Sequence, residues 1–472
     1  MVKNWSGKKV LIMGLGLQGG ALQVAKWLLK RKAVLTITDL KTAVQLKTSL
    51  DQLSKISGFK NIKFTLGKHD ERDFTDQDLI IQNPGVPRES SFLKIAKKHK
   101  IPIVNEAVMF FGLFSGKVIG VTGTRGKSTT STLLHHILKT EIKNNVIAGN
   151  IAVTPMFSVL DQLKVNSYPV LELSSWHLEG LGDYQKSPHI AIVTNVLIDH
   201  LNRYKNFSEY KKAKGVLVKY QTNKDLAILN FDNTHSKSFA KITKANVYYF
   251  SLHHKVKGVY LENNNFYFND GKKTEFIVKI EDWKIFGEHN FSNAAAAICA
   301  AKLLGIQNKN ISKALKNFKG VEFRFQFLGK IKNIEFFNDA TASTPDATLA
   351  ALSALGDKKI ILLTGGEDKQ LDYTDLATVI AHNSNIKPLL LAGSGSQKLL
   401  AALAKLNYSV ILANQNIKSL DIAYKKAKKF FKQNDVLLFS PAASSFNMFS
   451  NEFERARLFE KLVKNDQLQK EK

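Results

Sequence analysis

Two glycine-rich loops, GLGLQGG at 14–20 and GTRGKSTT at 123–130, constrain the fold of this chain most strongly. Each loop follows an apolar run, VLIM at 10–13 and VIGVT at 118–122, and each opens a stretch with helical periodicity. A glycine-rich turn between a strand and a helix directs backbone N–H groups and the positive end of the helix dipole toward an anion. The sequence therefore predicts two α/β units, each with a phosphate-bearing ligand.

Strand-like and helical runs alternate along almost the whole chain, an order that favours parallel sheets covered by helices. The alternation restarts at Lys117 and again after 321–329, where SVILA at 409–413 is one of the later predicted strands. Between 246 and 285, short runs turned by Asn-Asn and Asn-Asp-Gly are typical of antiparallel hairpins. A length of 472 residues fits three domains. The predicted α/β domains are an N-terminal Rossmann-like domain (1–106), a central P-loop-type ATP-binding domain with a small antiparallel β meander (107–320) and a C-terminal Rossmann-like domain (321–472).

The net charge of +28 would suit a nucleic-acid partner, but the lysines are scattered through every segment without a dense tract or a nucleic-acid fold signature. Small anionic substrates and a bias toward lysine explain the charge, so we expect no nucleic-acid partner. No apolar run reaches the roughly 18 residues of a transmembrane helix, and MVKNWSGKK lacks the apolar region of a secretion signal. The single cysteine, Cys299, allows no internal disulfide. We therefore expect a cytoplasmic protein without membrane insertion.

In the first loop, Gly14, Gly16 and Gly19 fit the pattern G-x-G-x-x-G, and Asp39 closes the next strand-like run, VLTITD. This arrangement is typical of a diphosphate or dinucleotide site with an acidic group for a ribose. The alternative is a strand–helix turn that merely needs glycine. The pattern does not distinguish a dinucleotide from another diphosphate.

The second loop has the form GxxGKS, because Val121 occupies the first glycine position of the longer P-loop pattern. Its backbone would hold phosphates, the Lys127 ammonium would reach the β- and γ-phosphates, and the Ser128 hydroxyl would bind Mg²⁺. The predicted ATP contacts here are Gly123, Thr124, Arg125, Gly126, Lys127, Ser128 and Thr129. A nicotinamide oxidoreductase needs no such loop, so the pair of loops argues against a dehydrogenase.

Five segments in this order resemble the ATP-dependent Mur ligases: VIGVTGTRGKSTT, AGNIA at 148–152, LELSSWHLE at 171–179, NVLIDHLNRY at 195–204 and GEHNFSNAAAA at 287–297. Within that family, GLGLQGG, NPGVP at 83–87 and SPAASSFNMF at 440–449 are most similar to members that add D-glutamate to UDP-N-acetylmuramoyl-L-alanine. The resemblance implies the three-domain Mur ligase architecture. It also implies an amide ligase of peptidoglycan precursor synthesis that forms an acyl phosphate with ATP, and whose domains close around the substrates.

The resemblance also assigns roles to individual residues. Those implied for the nucleotide substrate are Gly14, Leu15, Gly16, Leu17, Gln18, Gly19, Asp39, Asn83, Pro84, Gly85, Asn150, Ser174 and His200. Those implied as ligands of two Mg²⁺ ions are Ser128, Glu172, His200 and Lys214. Further ATP contacts are Asn290, Asn293, Arg324 and Asp339, although the two asparagines could equally cap a helix. The implied catalytic group is Lys127, Glu172, His200, Lys214 and Arg324.

Lys214 is similar to a lysine that carries a carbamate in the family, with Lys211 and Lys212 as competing candidates. Ala213 precedes it as the family pattern requires, which favours Lys214. A buried lysine with a lowered pKa can react with carbon dioxide, whereas a solvated one stays an ammonium.

Lys369 and Ser445 fall on positions that the resemblance implies for the side-chain carboxylate of glutamate, and Ser343 and Phe446 are further implied substrate contacts. A cation and a hydroxyl suit an acidic side chain. The chain departs from the family pattern at Asn447 and Glu452, which leaves the choice between D- and L-glutamate open. It also departs at Phe323 and Gln326, which concern the adenine pocket, and at Thr341, which concerns a nucleotide contact. The alternatives are a related ligase that adds L-alanine or extends folate with glutamate, and a non-catalytic nucleotide-binding protein. We expect a monomer.

Overall fold

A computed structural model describes residues 4–17, 19–150, 154–199, 203–283, 287–318, 320–368, 371–408, 416–445, 448–449 and 451–468. The chain forms two compact units: unit 1 is Met1–Lys284 with Glu288–Phe318, and unit 2 is Ile285–Gly287 with Lys319–Lys472. The predicted limit at 320/321 lies near this division, whereas the one at 106/107 falls inside unit 1; both stay predictions. Within these described ranges, no helix is both long and apolar enough to cross a lipid bilayer.

Unit 1 begins with a five-stranded sheet whose paired strands are all parallel. Its strands are β1 (Lys9–Met13), β2 (Val34–Asp39), β3 (Lys63–Leu66), β4 (Leu79–Gln82) and β5 (Ile103–Val104). The helices are α1 (Gly20–Leu29), α2 (Lys47–Leu53), α3 (Ser91–Lys98) and α4 (Glu106–Leu113). The spatial order is β3-β2-β1-β4-β5, so the chain reverses direction across the sheet between β1 and β4. Ligands of open α/β sheets bind at the carboxyl ends of the strands at such a point.

A nine-stranded sheet completes unit 1, in the order β14-β13-β12-β11-β10-β9-β6-β8-β7. Its strands are β6 (Ile119–Thr122), β7 (Ile147–Gly149), β8 (Val170–Glu172), β9 (Ile190–Val193), β10 (Leu226–Asn230), β11 (Asn246–Ser251), β12 (Gly258–Glu262), β13 (Asn265–Asn269) and β14 (Thr274–Lys279). The helices are α5 (Lys127–Leu138), α6 (Met156–Val159), α7 (Ser175–Asp183), α8 (Phe207–Lys219), α9 (Thr234–Ser238), α10 (Glu288–Leu303) and α11 (Asn308–Asn317). Strands β6, β8 and β9 are fully buried, as a parallel sheet covered on both faces requires.

The predicted meander is confirmed for its two hairpins and wrong for its first strand. Strands β12, β13 and β14 pair antiparallel, and the β12–β13 turn has Asn263 and Asn264 at φ 50° and 60°. However, β11 pairs with β12 in parallel and extends the large sheet. The chain turns back directly after β11, where the Ser251 hydroxyl accepts hydrogen bonds from the backbone N–H groups of His253 and His254. Strand β12 therefore starts beside Tyr249 instead of running back along β11.

Unit 2 is a third α/β layer with sheet order β15-β16-β19-β17-β18. Its strands are β15 (Gln326–Ile331), β16 (Ile334–Asn338), β17 (Ile360–Thr364), β18 (Ile386–Leu390) and β19 (Val436–Phe439). The helices are α12 (Pro345–Leu355), α13 (Thr374–His382), α14 (Ser394–Lys405), α15 (Leu420–Lys428) and α16 (Glu452–Leu468). Among the strands of unit 2 that the structure describes, only the edge strand β15 pairs antiparallel. The predicted strand at 409–413 lies outside the described residues.

Candidate active site

The first glycine-rich loop lies at the carboxyl end of β1, where the sheet order reverses. Gly14, Gly16 and Gly19 all adopt left-handed φ angles, of 88°, 60° and 90°, which explains the need for glycine. Asn83 Nδ2 donates a hydrogen bond to the carbonyl of Gly14 (2.9 Å), and the N–H of Gly16 donates to Asp39 Oδ2 (3.0 Å). The structure thus brings together the loop, Asp39 and the NPGVP turn, the three segments predicted to hold the nucleotide substrate.

Asp39 and Asn83 use their side chains to shape this site. Asp39 is buried, and its second oxygen, Oδ1, accepts from the backbone N–H of Lys41 (2.8 Å). Asn83 Oδ1 accepts from the N–H of Gly85 (3.2 Å). The ligand contacts implied for this region stay predictions, and Gln18 lies outside the described residues.

The second loop joins β6 to α5, as predicted. Gly123 and Gly126 have φ angles of 155° and 79°, and a Cβ atom at Gly126 would collide with the amide of Asn293. Lys127 Nζ donates to the carbonyls of Gly123 and Thr124, both at 3.0 Å. The lysine therefore lies over its own loop, where an ammonium can reach a bound phosphate chain.

Lys214 of α8 reaches the same loop from the side. Its side chain is 2% exposed, and Nζ donates to the carbonyl of Gly123 (2.9 Å), the acceptor that Lys127 also uses. Burial lowers the pKa of Lys214 well below its usual value, and the neighbouring charge of Lys127 lowers it further. Of the three candidate lysines, Lys212 is exposed and Lys211 is half-buried, so Lys214 alone has the environment of a reactive amine.

Glu172 ends β8 next to this loop, because it pairs in register with Val121 of β6. The side chain is 1% exposed. Oε1 accepts from Asn150 Nδ2 (3.3 Å), while Oε2 is buried without a hydrogen-bond partner. A buried carboxylate oxygen without a partner is costly, so this atom marks a place for a cation or a donor.

Asn290 and Asn293, predicted to contact ATP, lie within α10, so neither is its N-cap residue. Asn293 Oδ1 accepts from the hydroxyl of Thr130 on α5 (3.4 Å) and lies against Gly126. Ser174 caps α7, where its hydroxyl accepts from the N–H of His177 (3.3 Å).

In unit 2, Asp339 and Ser445 are buried and Arg324 is exposed. Both carboxylate oxygens of Asp339 point inward: Oδ1 accepts from the N–H of Phe325 (3.0 Å) and Oδ2 from the hydroxyl of Ser440 (2.7 Å). Burial raises the pKa of Asp339 to about 7. Nucleotide contact by Asp339 stays a prediction, as do the substrate contact at Ser343 and the glutamate contact at Ser445. His200, Lys369 and Phe446 lie outside the described residues.

Comparison with known proteins gives matches along nearly the whole chain. Three family models match in succession: the MurD-like N-terminal domain of Mur ligases over residues 8–105, the Mur ligase middle domain over 121–301 and the Mur ligase glutamate ligase domain over 323–443. A relative from Roseiflexus sp. (strain RS-1) is 34% identical over 470 residues, covering 98% of this chain and 99% of the relative. The chain belongs to the Mur ligase family.

A Borreliella burgdorferi Mur ligase is 36% identical over 466 residues, covering 96% of this chain and 97% of its own. Both relatives are named UDP-N-acetylmuramoylalanine–D-glutamate ligase. The solved structure of UDP-N-acetylmuramate-alanine ligase from Thermotoga maritima matches with a TM-score of 0.61 and 20% identity, over 97% of this chain and 99% of that one. The predicted three-domain Mur ligase architecture is confirmed, and the protein is an ATP-dependent amide ligase.

Mur ligases use ATP and Mg²⁺, and the residues of unit 1 fit such a metal. Glu172 Oε2 is a hard oxygen without a hydrogen-bond partner, and Ser128, which carries a hydroxyl, is the second residue of α5 at the end of the adjoining loop. Across the described parts of the chain, no three His, Cys, Asp or Glu residues cluster as a metal site. A cation here would therefore depend on ATP phosphates, water and further groups besides Glu172 and Ser128, as is usual for Mg²⁺.

Three further residues of this Mur ligase shape the ATP loop, and the sequence did not single them out. Asn195 Oδ1 accepts from the N–H of Arg125 (2.9 Å), and the Thr194 hydroxyl donates to the carbonyl of Arg125 (2.6 Å). The Tyr210 hydroxyl bonds that of Thr124 (3.1 Å). Thr194 and Asn195 directly follow β9, and this position at the end of a buried parallel strand was the signal that could have identified them.

A groove of about 370 Å³ in unit 1, lined by Asn83 and Pro84 among others, was also not predicted. Arg88 crosses it from the N-terminal sheet to pair with Asp183 of α7 and approaches Glu179 at 4.0 Å. These ion pairs attach the NPGVP turn to the helix that follows Glu172.

Glu106 is a second link between the two sheets of unit 1. It is 8% exposed, accepts hydrogen bonds from the backbone N–H groups of Met156 and Phe157, and lies against Gly20 of the first loop. Its Oε1 has no partner. Burial raises the pKa of Glu106 from 4.5 to about 7, because the two N–H groups offset only part of the desolvation.

Replacing Glu106 by glutamine should therefore stabilise the protein at neutral pH but not in mild acid. Between pH 4.5, the pKa of Glu106 in the unfolded chain, and about 7, its pKa in the folded protein, only the folded state keeps the proton on this carboxyl. The free energy of unfolding of the wild type therefore falls as pH rises from about 4.5 to about 7, by up to about 3 kcal/mol. The measurement is the thermal midpoint of wild type and Glu106→Gln from about pH 5 to about pH 8. Exposed Glu71→Gln is the control, and a midpoint difference that stays constant with pH would contradict the prediction.

Proposed function

We propose that this Mur ligase joins D-glutamate to UDP-N-acetylmuramoyl-L-alanine, at the expense of ATP, in peptidoglycan precursor synthesis. The observation that carries the proposal is the match to relatives of that name over 96% of this chain or more, at 34% and 36% identity. The glycine loop held by Asp39 and Asn83 supports a diphosphate substrate. The loop at Gly123 with two lysines supports ATP.

In the proposed reaction, an oxygen of the L-alanine carboxylate attacks the γ-phosphorus of ATP and ADP leaves. The amine of glutamate then attacks the acyl carbon, phosphate leaves, and the amine loses a proton. Both first reactants are anions, so the site must lower their repulsion. Lys127 supplies a cation at the phosphates, and the backbone N–H groups of the loop orient them. Bound Mg²⁺ would supply Lewis-acid neutralisation at Ser128 and Glu172.

Lys214 is proposed to act as a carbamate. Its neutral amine would add to carbon dioxide and release one proton, giving a carboxylate in place of an ammonium beside the Gly123 carbonyl. Two observations support this step: the side chain is 2% exposed, and burial lowers its pKa, which favours the neutral amine. The carbamate would add an anionic oxygen ligand for a second Mg²⁺, together with His200.

The amino acid is proposed to bind in unit 2, through Ser343, Lys369, Ser445 and Phe446. The match of residues 323–443 to the glutamate ligase domain supports a place for the amino acid in unit 2. Asn447 and Glu452 depart from the family pattern, so L-glutamate is the second candidate substrate. We further propose a monomer that works in the cytoplasm, where ATP and nucleotide-linked precursors are available.

The test is a mass-spectrometric assay of the purified protein with ATP, Mg²⁺ and UDP-N-acetylmuramoyl-L-alanine, with D-glutamate, L-glutamate or L-alanine as the amino acid. The proposed function requires a product heavier by one glutamate residue with D-glutamate, and one phosphate released per product. UDP-N-acetylmuramate with L-alanine, and a folate acceptor with L-glutamate, test the alternative ligases. Product with either of those pairs, and none with D-glutamate, would overturn the proposal.

A further inference from the structure

Arg455, in the first turn of α16, is among the largest side chains that unit 2 buries completely. Its side chain is 1% exposed. Nε donates a hydrogen bond to the carbonyl of Ala340 (2.9 Å), and Nη2 donates to the carbonyl of Ala443 (3.0 Å). One planar guanidinium therefore bridges two separate segments of backbone.

The two segments leave neighbouring strands at the same edge of the sheet. Ala340 follows β16 and Ala443 follows β19, and these strands pair in parallel with Asn338 opposite Phe439. Asp339 adds a second link, since its Oδ2 accepts from the hydroxyl of Ser440 (2.7 Å). The two loops are thus joined by a cation and a carboxylate that lie next to one another.

Filling this space does not require a charge. Burial lowers the pKa of Arg455 to about 10, against the opposing effects of Glu452 and Asp339, which shows how unfavourable the site is for a cation. An apolar side chain of similar volume commonly replaces a buried ionic group without loss of stability. The guanidinium offers instead a rigid set of donors that holds two acceptors at a fixed separation.

We propose that Arg455 is a positioning residue that sets the separation of the two loops that bind the amino-acid substrate. Ser343 lies shortly after Ala340 and Ser445 shortly after Ala443, so a change in either carbonyl position displaces a predicted substrate contact. The inference rests on the proposed function, because it takes these two serines as the glutamate site. Arg455 itself makes no contact with substrate in this proposal.

The test compares the steady-state kinetics of Arg455→Lys and Arg455→Met with those of wild type. Lysine can bond one of the two carbonyls, whereas methionine bonds neither. A displacement of about 1 Å can cost up to about 100-fold, so we expect the KM for D-glutamate to rise about tenfold or more in Arg455→Lys and further in Arg455→Met. The KM values for ATP and the nucleotide substrate should change less than about twofold, and discrimination against D-aspartate should fall. Exposed Arg457→Lys on the same helix is the matched control.

Three outcomes would overturn the inference. The first is an unchanged KM for glutamate in folded Arg455→Lys, and the second is an equal rise in all three KM values. The third is an Arg455→Lys protein that does not fold, since that would assign the residue to stability alone. The wild-type assay separates this inference from the proposed function. If the wild-type protein ligates a different amino acid, the proposed function is overturned. The role of Arg455 is still supported if its variants raise the KM for that amino acid and leave the KM values for ATP and the nucleotide substrate nearly unchanged.

Discussion

Glu172→Gln should lower kcat by about 10³-fold at saturating substrates, because the site loses a buried carboxylate next to the ATP loop. Glutamine has nearly the same volume and can still accept from Asn150 through its carbonyl oxygen. In the variant, however, an amide NH₂ group replaces Oε2, the carboxylate oxygen without a hydrogen-bond partner. That group can neither bind nor neutralise a cation. The measurement is phosphate release against Mg²⁺ concentration, where the variant should need a higher concentration for half-maximal rate.

Glu71→Gln, an exposed carboxylate of unit 1, controls for the loss of one charge and should leave kcat within about twofold. Thermal unfolding separates chemistry from folding, because Glu172→Gln removes a buried charge and should not lower the midpoint. A variant that keeps more than about a tenth of the wild-type kcat at all Mg²⁺ concentrations would show that Glu172 is only a structural carboxylate.

The parts of the site that the sequence predicted all belong to short continuous motifs. GLGLQGG and GTRGKSTT each directly follow a strand and contain both the glycines of the turn and the start of the next helix, so local backbone geometry alone defines the loop. The position of Glu172 could also be predicted, because a carboxylate at the end of a buried parallel strand lies at the edge of the sheet where ligands bind. Physical rules acting over a few residues were sufficient here.

The parts that the sequence did not predict depend on partners far apart in the chain. Arg88 pairs with Asp183, and Arg455 bonds the carbonyl of Ala340, across separations of 95 and 115 residues. No local pattern distinguishes these arginines from solvated ones. The sequence also did not predict that β11 pairs with β12 in parallel. A short strand has the same residue pattern whether its partner runs parallel or antiparallel.

The lysine assignment shows how burial adds to a motif. Lys211, Lys212 and Lys214 are equivalent in the sequence apart from a preceding alanine, and only the fold separates them by exposure. Lys214 also shares the Gly123 carbonyl with Lys127, an arrangement in which two ammonium groups repel one another. Conversion of one of them to an anion would replace that repulsion with attraction.

Lys214→Ala should therefore lose about 100-fold or more in kcat and recover part of it when formate or acetate is added. A small carboxylate can occupy the space left by the side chain and supply the anionic oxygens of the missing carbamate. Lys214→Arg keeps a cation that cannot react with carbon dioxide, so it should be as inactive as Lys214→Ala and should not respond to carboxylates. The measurement is phosphate release against carboxylate concentration.

The neighbouring variants Lys211→Ala and Lys212→Ala provide matched controls, since they remove a lysine from the same helix without touching the Gly123 carbonyl. Both should keep wild-type kcat within about twofold. Wild type depleted of carbon dioxide should slow and recover on addition of bicarbonate, because the carbamate forms and breaks reversibly. Full activity of Lys214→Arg would contradict the carbamate. A loss in Lys214→Ala that no carboxylate relieves would instead assign Lys214 to holding the loop through its hydrogen bond to Gly123.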